Sequence, residues 1–125
     1  MRSWDEVSAY VRAHYEYEEP GEGYIFLVSV DGDGARSMAI IARVRHPLGG
    51  LWAEMTAPIG NVGEVDINAV VQGIGMHPCG GISIGADMVL VRHTFPIESM
   101  SEADFEICRA SVTGAAKALA AGVSR

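Results

Sequence analysis

Three places in this 125-residue sequence hold residue types that could do chemistry. His77-Pro78-Cys79 sets an imidazole two residues from a thiol, and a thiolate formed beside a histidine would be a nucleophile. Pro78 leaves the two side chains without a fixed mutual aim, so the pair falls short of a catalytic dyad. Asp31-Gly32-Asp33-Gly34 offers carboxylates at calcium-loop spacing, but the further oxygen ligands and the distal glutamate of such a loop are missing. The glycine-rich run from Gly73 to Gly81 carries no phosphate-binding lysine. It also leads from helix to strand, the reverse of the order that presents a helix amino terminus to phosphate.

The remaining histidines, His14, His46 and His93, stand singly, without an i,i+4 partner or a carboxylate at ligand spacing, so no metal site is assigned. Cys108 falls on the apolar face of the last helix and reads as a small hydrophobe. Glu6, Asp66, Glu102 and Asp104 are taken up by helix starts. The sequence thus assigns no catalytic residue and no cofactor. An enzyme using His77 and Cys79 ranks last among the functional readings.

The elements that position these residues follow from periodicity. Ser3-Trp4-Asp5-Glu6 is a capping box, and Trp4, Val7, Val11 and Tyr15 recur at helical spacing behind it, flanked by Tyr10, His14 and Tyr17. Glu16, Glu18 and Glu19 followed by Pro20-Gly21 are expected to fray the helix end, since like negative charges sit badly against its dipole. Tyr24 to Val30 and Ala35 to Arg45 read as strands joined by the Asp-Gly-Asp-Gly turn. In the second strand Met38, Ile40, Ala42 and Val44 form a dry face, and Ile41, Arg43 and Arg45 a mixed one. His46-Pro47-Leu48-Gly49-Gly50 turns the chain into a third strand, Leu51 to Ala57.

Asp66 caps a short apolar helix within Val65 to Ile74, carrying Ile67, Val70, Val71 and Ile74 at helical spacing. Ile82 to Ile84 and the strand from Met88 complete the sheet, and Ser101-Glu102-Ala103-Asp104 opens a closing helix through Leu119. The expected fold class is α+β, in the order α-β-β-β-α-β-β-α, an antiparallel sheet packed by helices in one domain spanning 1–125.

With 49% hydrophobic and 20% charged residues, the chain is well clear of the composition of disorder. Its net charge of −7 opposes nucleic acid, which demands clustered Lys and Arg. No run of about 18 apolar residues appears, so no membrane span is expected. The polar, acidic start lacks a secretory signal and the two cysteines form no framework, so a cytoplasmic protein with free thiols is expected. Large residues on both faces of the strands, including Ile25, Leu27, Ile41 and Trp52, leave apolar surface for a second copy or a captured peptide.

The order of elements resembles the type III secretion chaperone-like fold and the YbjN-like proteins grouped with it. The resemblance rests on Ser3-Trp4-Asp5-Glu6-Val7 with Tyr10-Val11, on Ala57-Pro58-Ile59-Gly60, and on Met88-Val89-Leu90-Val91-Arg92-His93 followed by Phe95-Pro96-Ile97. It covers nearly the whole chain through short motifs. It implies a non-enzymatic, chaperone-like homodimer joined through Ile67, Val70, Val71 and Ile74. This dimer would hold an extended segment of a partner protein on Val7, Tyr10, Val11, Ile25, Leu27 and Ile41. The alanine-rich last helix, with Gly114 in its middle, departs from the charged helix of that family. The competing reading is a regulatory scaffold that binds another folded protein.

Overall fold

A computed structural model describes residues 1–30, 32–45 and 48–122. Asp31, His46 and Pro47, which belong to two of the expected turns, lie outside the described residues. The fold is α+β: an antiparallel sheet of six strands with an N-terminal and a C-terminal helix. Helix α1 spans Trp4–His14, followed by strands β1 (Glu16–Gly21), β2 (Tyr24–Val30), β3 (Arg36–Arg45) and β4 (Leu51–Asn61). Helix α2 (Ile67–Gly73) runs into a 3-10 turn over Ile74–Met76, and β5 (Gly81–Gly85), β6 (Met88–Pro96) and α3 (Glu102–Gly122) complete the chain. The spatial order is β1-β2-β3-β4-β6-β5, so β6 slots between β4 and β5.

All three expected caps form. Ser3 Oγ accepts from the Glu6 amide, and Glu6 reaches back to the Arg2 amide at 2.7 Å. Asp66 accepts from the Ala69 amide. Ser101 and Asp104 exchange reciprocal bonds of 3.0 Å, a complete capping box at the start of α3.

The strand β1 corrects the sequence reading. The Glu16 to Gly21 segment is not a fraying helix end. Tyr15 turns to extended geometry (φ −134°, ψ 155°) and the chain pairs with β2, Glu18 opposite Phe26. Its like charges leave the helix dipole and spread along a sheet edge, where Arg12 takes Glu19 and Arg36 takes Glu16. Charge, Pro20 and a register irregularity between Glu18 and Gly21 make this edge a poor template for another strand.

Register fixes the two faces of the sheet. Ile25 lies opposite Ile41, Ile41 opposite Met55, Ala53 opposite Phe95, and Ala57 opposite Val91. All of these are buried, together with Val7 and Val11 of α1 and Phe105, Val112 and Leu119 of α3. The core therefore lies between one sheet face and the helices. Here too the expectation is corrected. The Met38, Ile40, Ala42 and Val44 face of β3 is not the covered one. The helices take the mixed face through Ala39 and Ile41, while exposed Arg43 pairs with Glu22 at 3.8 Å.

The helices are pinned to each other as well as to the sheet. Tyr10 meets Phe105 edge to face with ring centroids 5.1 Å apart and stacks on His14 at 4.2 Å. The Tyr15 hydroxyl donates to Glu106, and Arg109 both pairs with Glu106 at 3.3 Å and lies 5.5 Å from the Tyr15 ring centroid. Burial first, and the Glu106 hydrogen bond second, hold the Tyr15 phenol well above its ordinary value.

Candidate functional site

Alternation along each strand sends every second residue to the face opposite the helices. Phe26 faces Ile40 there, Val28 faces Met38, Val44 faces Trp52, and Pro58 faces Leu90. None of Phe26, Ile40, Val44, Trp52 or Leu90 belongs to the core or packs on it. Tyr24, Val30 and Met38 on the same face are 53%, 63% and 42% exposed. No described helix lies on this face, and the result is a broad apolar surface on the outside of the sheet.

Its polar groups are few and placed. Arg92 and Glu54 form an ion pair of 2.9 Å over β4 and β6, and Arg36 and Glu16 form another of 2.9 Å at the β1 rim. Glu18, opposite Phe26, makes no ion pair among the described residues. The surface is thus most apolar across β2 and β3, more polar over β4 and β6 where Thr56 and Thr94 join the Arg92–Glu54 pair, and carries one uncompensated carboxylate at its edge, while its other charges neutralise each other in pairs.

The residues expected from the sequence to contact a partner sit elsewhere. Val7, Val11, Ile25, Leu27 and Ile41 have at most 1% exposure, so the chain's own core fills the place assigned to a bound segment. Tyr10 is half-buried between Phe105 and His14. Of the four residues expected to join two copies, Val70 is fully buried and Ile67 and Ile74 pack on the core. Only Val71, at 56%, is exposed. Helix α2 spends its apolar side on the monomer because Gly73 lets it approach closely: a Cβ there would fall 2.6 Å from Leu119 Cδ2. The open-face residues Phe26, Ile40 and Leu90 were missed, although the unbroken apolar run Ile25-Phe26-Leu27-Val28 signals a strand that is apolar on both sides.

A cavity of about 340 Å³ lies on the helix side, between the end of β6 and the first turns of α3, lined by Pro78, His93, Phe95, Met100, Cys108 and Ser111 among others. The fold brings Cys79 to this neighbourhood, its thiol donating to the Ser111 carbonyl at 3.5 Å. Burial raises the Cys79 pKa, and burial together with Cys79 pushes Cys108 up to about 12, so both stay protonated thiols. His93 Nδ1 is buried without a hydrogen-bond partner among the described residues. No hydrogen bond joins a histidine to either thiol among the described residues, so the geometry activates neither sulfur. His77 and Cys79 form no bonded pair. No group of three or more His, Cys, Asp or Glu side chains is placed to hold a metal ion among the described residues. No described helix is long and apolar enough to cross a membrane.

Compared with protein-family models, curated proteins and solved structures, the chain gives no match.

Proposed function

We propose that the chain is a non-enzymatic, chaperone-like protein-binding domain that acts as a cytoplasmic homodimer and holds an apolar segment of a partner protein on the open face of its sheet. The observation that carries this reading is the uncovered apolar surface built by Phe26, Ile40, Val44 and Leu90. A folded domain gains nothing from keeping such residues half in water, and a surface of this kind is characteristic of a contact with another protein. The partner segment that fits is apolar with a basic residue near one end, to meet Glu18 at the β1 rim. The resemblance to type III secretion chaperone-like and YbjN-like proteins supports the same class of function, with the holding surface moved from the helix side to the opposite side of the sheet.

The test is affinity capture with crosslinking and mass spectrometry from the cell that makes the protein, run beside Phe26→Asp and Ile40→Asp variants checked for native circular dichroism. Expected are crosslinks from the Phe26 face to one partner segment, and loss of that partner in both variants. A partner retained by both variants, or crosslinked only to the helix side, overturns the reading.

A further inference from the structure

The two edges of the sheet are built in opposite ways. β1 is guarded by acidic residues, Pro20 and an irregular register. β5, Gly-Ile-Ser-Ile-Gly, has no charge, no proline and no bulge. Unguarded strand edges are templates for further pairing, and natural folds leave them so where something pairs there.

The outward groups of β5 follow from its hairpin. Gly85 lies opposite Met88 across the two-residue turn Ala86-Asp87, whose φ values of 50° and 66° are those of a type I′ turn. In such a hairpin the residues flanking the turn exchange hydrogen bonds, so Gly85, Ser83 and Gly81 bond inward to β6. Ile82 and Ile84 therefore turn their N–H and C=O groups outward. Those groups have no hydrogen-bond partner among the described residues.

The sequence of the strand also selects the occupant. Gly81-Ile82-Ser83-Ile84-Gly85 reads identically in both directions, so an antiparallel copy centred on Ser83 places isoleucine on isoleucine and glycine on glycine. Two-fold symmetry requires such self-complementarity of a shared patch.

We propose that two copies of this chain pair β5 to β5, antiparallel about a two-fold axis through Ser83, and so join their sheets into one. Ile82 of each copy exchanges two hydrogen bonds with Ile84 of the other, and the four isoleucines meet on the helix side. Ile84, 58% exposed in the single chain, is covered. Ser83 meets its own copy in a non-hydrogen-bonded pair, where Cα atoms of antiparallel strands approach to about 4.5 Å. Both open faces then lie on the same side of the joined sheet, their apolar β2–β3 areas at its two flanks and Ser83, Arg92 and Glu54 nearer the seam. The proposal rests on the homodimer reading and replaces its expected α2 interface with a strand edge.

The test measures mass by light scattering across a concentration series of the full chain. The wild type is expected near twice 13.3 kDa, and Ile84→Pro near 13.3 kDa with unchanged circular dichroism, because the lost amide faces outward and takes no part in the β6 pairing. Independently, Ser83→Cys under a mild copper oxidant is expected to give a disulfide that links the β5 peptides of two copies through the substituted position. A dimer that persists in Ile84→Pro without this crosslink overturns the β5 interface while leaving a homodimer in place. A wild type that stays monomeric throughout overturns both. Capture of a partner through Phe26 is read separately, so its failure is not confused with either.

Discussion

Phe26 on β2 lies directly opposite Ile40 on β3, and both point away from the helices, while the neighbouring pair Ile25 and Ile41 is fully buried beneath them. One residue of register separates core from exterior. This gives a direct comparison. Ile41→Ala is expected to cost about 2–5 kcal/mol in urea unfolding, as large-to-small changes in cores do, and Ile40→Thr about 1 kcal/mol or less. Equal costs would mean that the sheet buries both faces in the single chain.

Gly60 carries a second structural demand. A Cβ on it would fall 2.8 Å from Cγ2 of Val65, which is buried and stiff at χ1. Gly60→Ala is expected to destabilise by about 1–3 kcal/mol, and Val65→Ala in the same chain to cost less than the two single changes summed. Additive costs would show that the two sites do not touch.

The β5–β6 turn is strained by its composition. Ala86 and Asp87 both hold positive φ, where residues with a Cβ are disfavoured and Asn-Gly is the preferred pair. Replacing them by Asn and Gly is expected to raise stability by about 1 kcal/mol, read as a higher midpoint in thermal unfolding. A fall would show that the turn is held by contacts of the present side chains.

Alkaline stability reports on the clamp between α1 and α3. The Tyr15 phenol is raised in the folded chain by burial and by Glu106, so its contribution is complete below the ordinary phenol value near 10 and is lost as pH climbs above it. Melting temperature is expected to fall between about pH 10 and 11 in the wild type and to fall less steeply in Tyr15→Phe. Identical slopes would remove Tyr15 from the linkage.

Thiol labelling checks the state of the cysteines. With both Cys79 and Cys108 raised by burial, a disulfide reagent at neutral pH is expected to react slowly with the native chain and to titrate two thiols quickly after denaturation. Rapid native labelling of Cys79 would restore a reactive role for it.

Much of this fold was readable from local signals. The Ser101 and Asp104 box, the Asp66 cap and the alternation of β2 to β4 are each written in a few adjacent residues, and the caps place every helix. What was not readable depended on distance. Glu16-Tyr17-Glu18-Glu19-Pro20 has no apolar alternation because an edge strand exposed on both sides needs none, so periodicity could not reveal β1. β3 carries apolar residues on both sides, and the side that the helices cover is decided by α1 and α3. Arg43 and Arg45 made the Ile41 side look wet, yet they sit beyond Ile41 towards the strand's end, away from the buried pair. The cavity beside His93 joins residues from β6, α3 and the segment before β5, and no spacing within the sequence announces that meeting.

The interior placement of β6 also orders the making of the molecule. Strands β1 to β4 form a run of neighbours in sequence, but β4 gains its second neighbour only from residues 88–96, after α2 has been laid down. Until that hairpin arrives, the growing chain ends its sheet at β4, which carries Trp52 and Met55 along an unpaired edge. Arrival of β6 closes that edge and moves the unguarded one to the short strand β5, so the longer edge stays open until residue 96 has been made and only a five-residue edge is left unguarded afterwards.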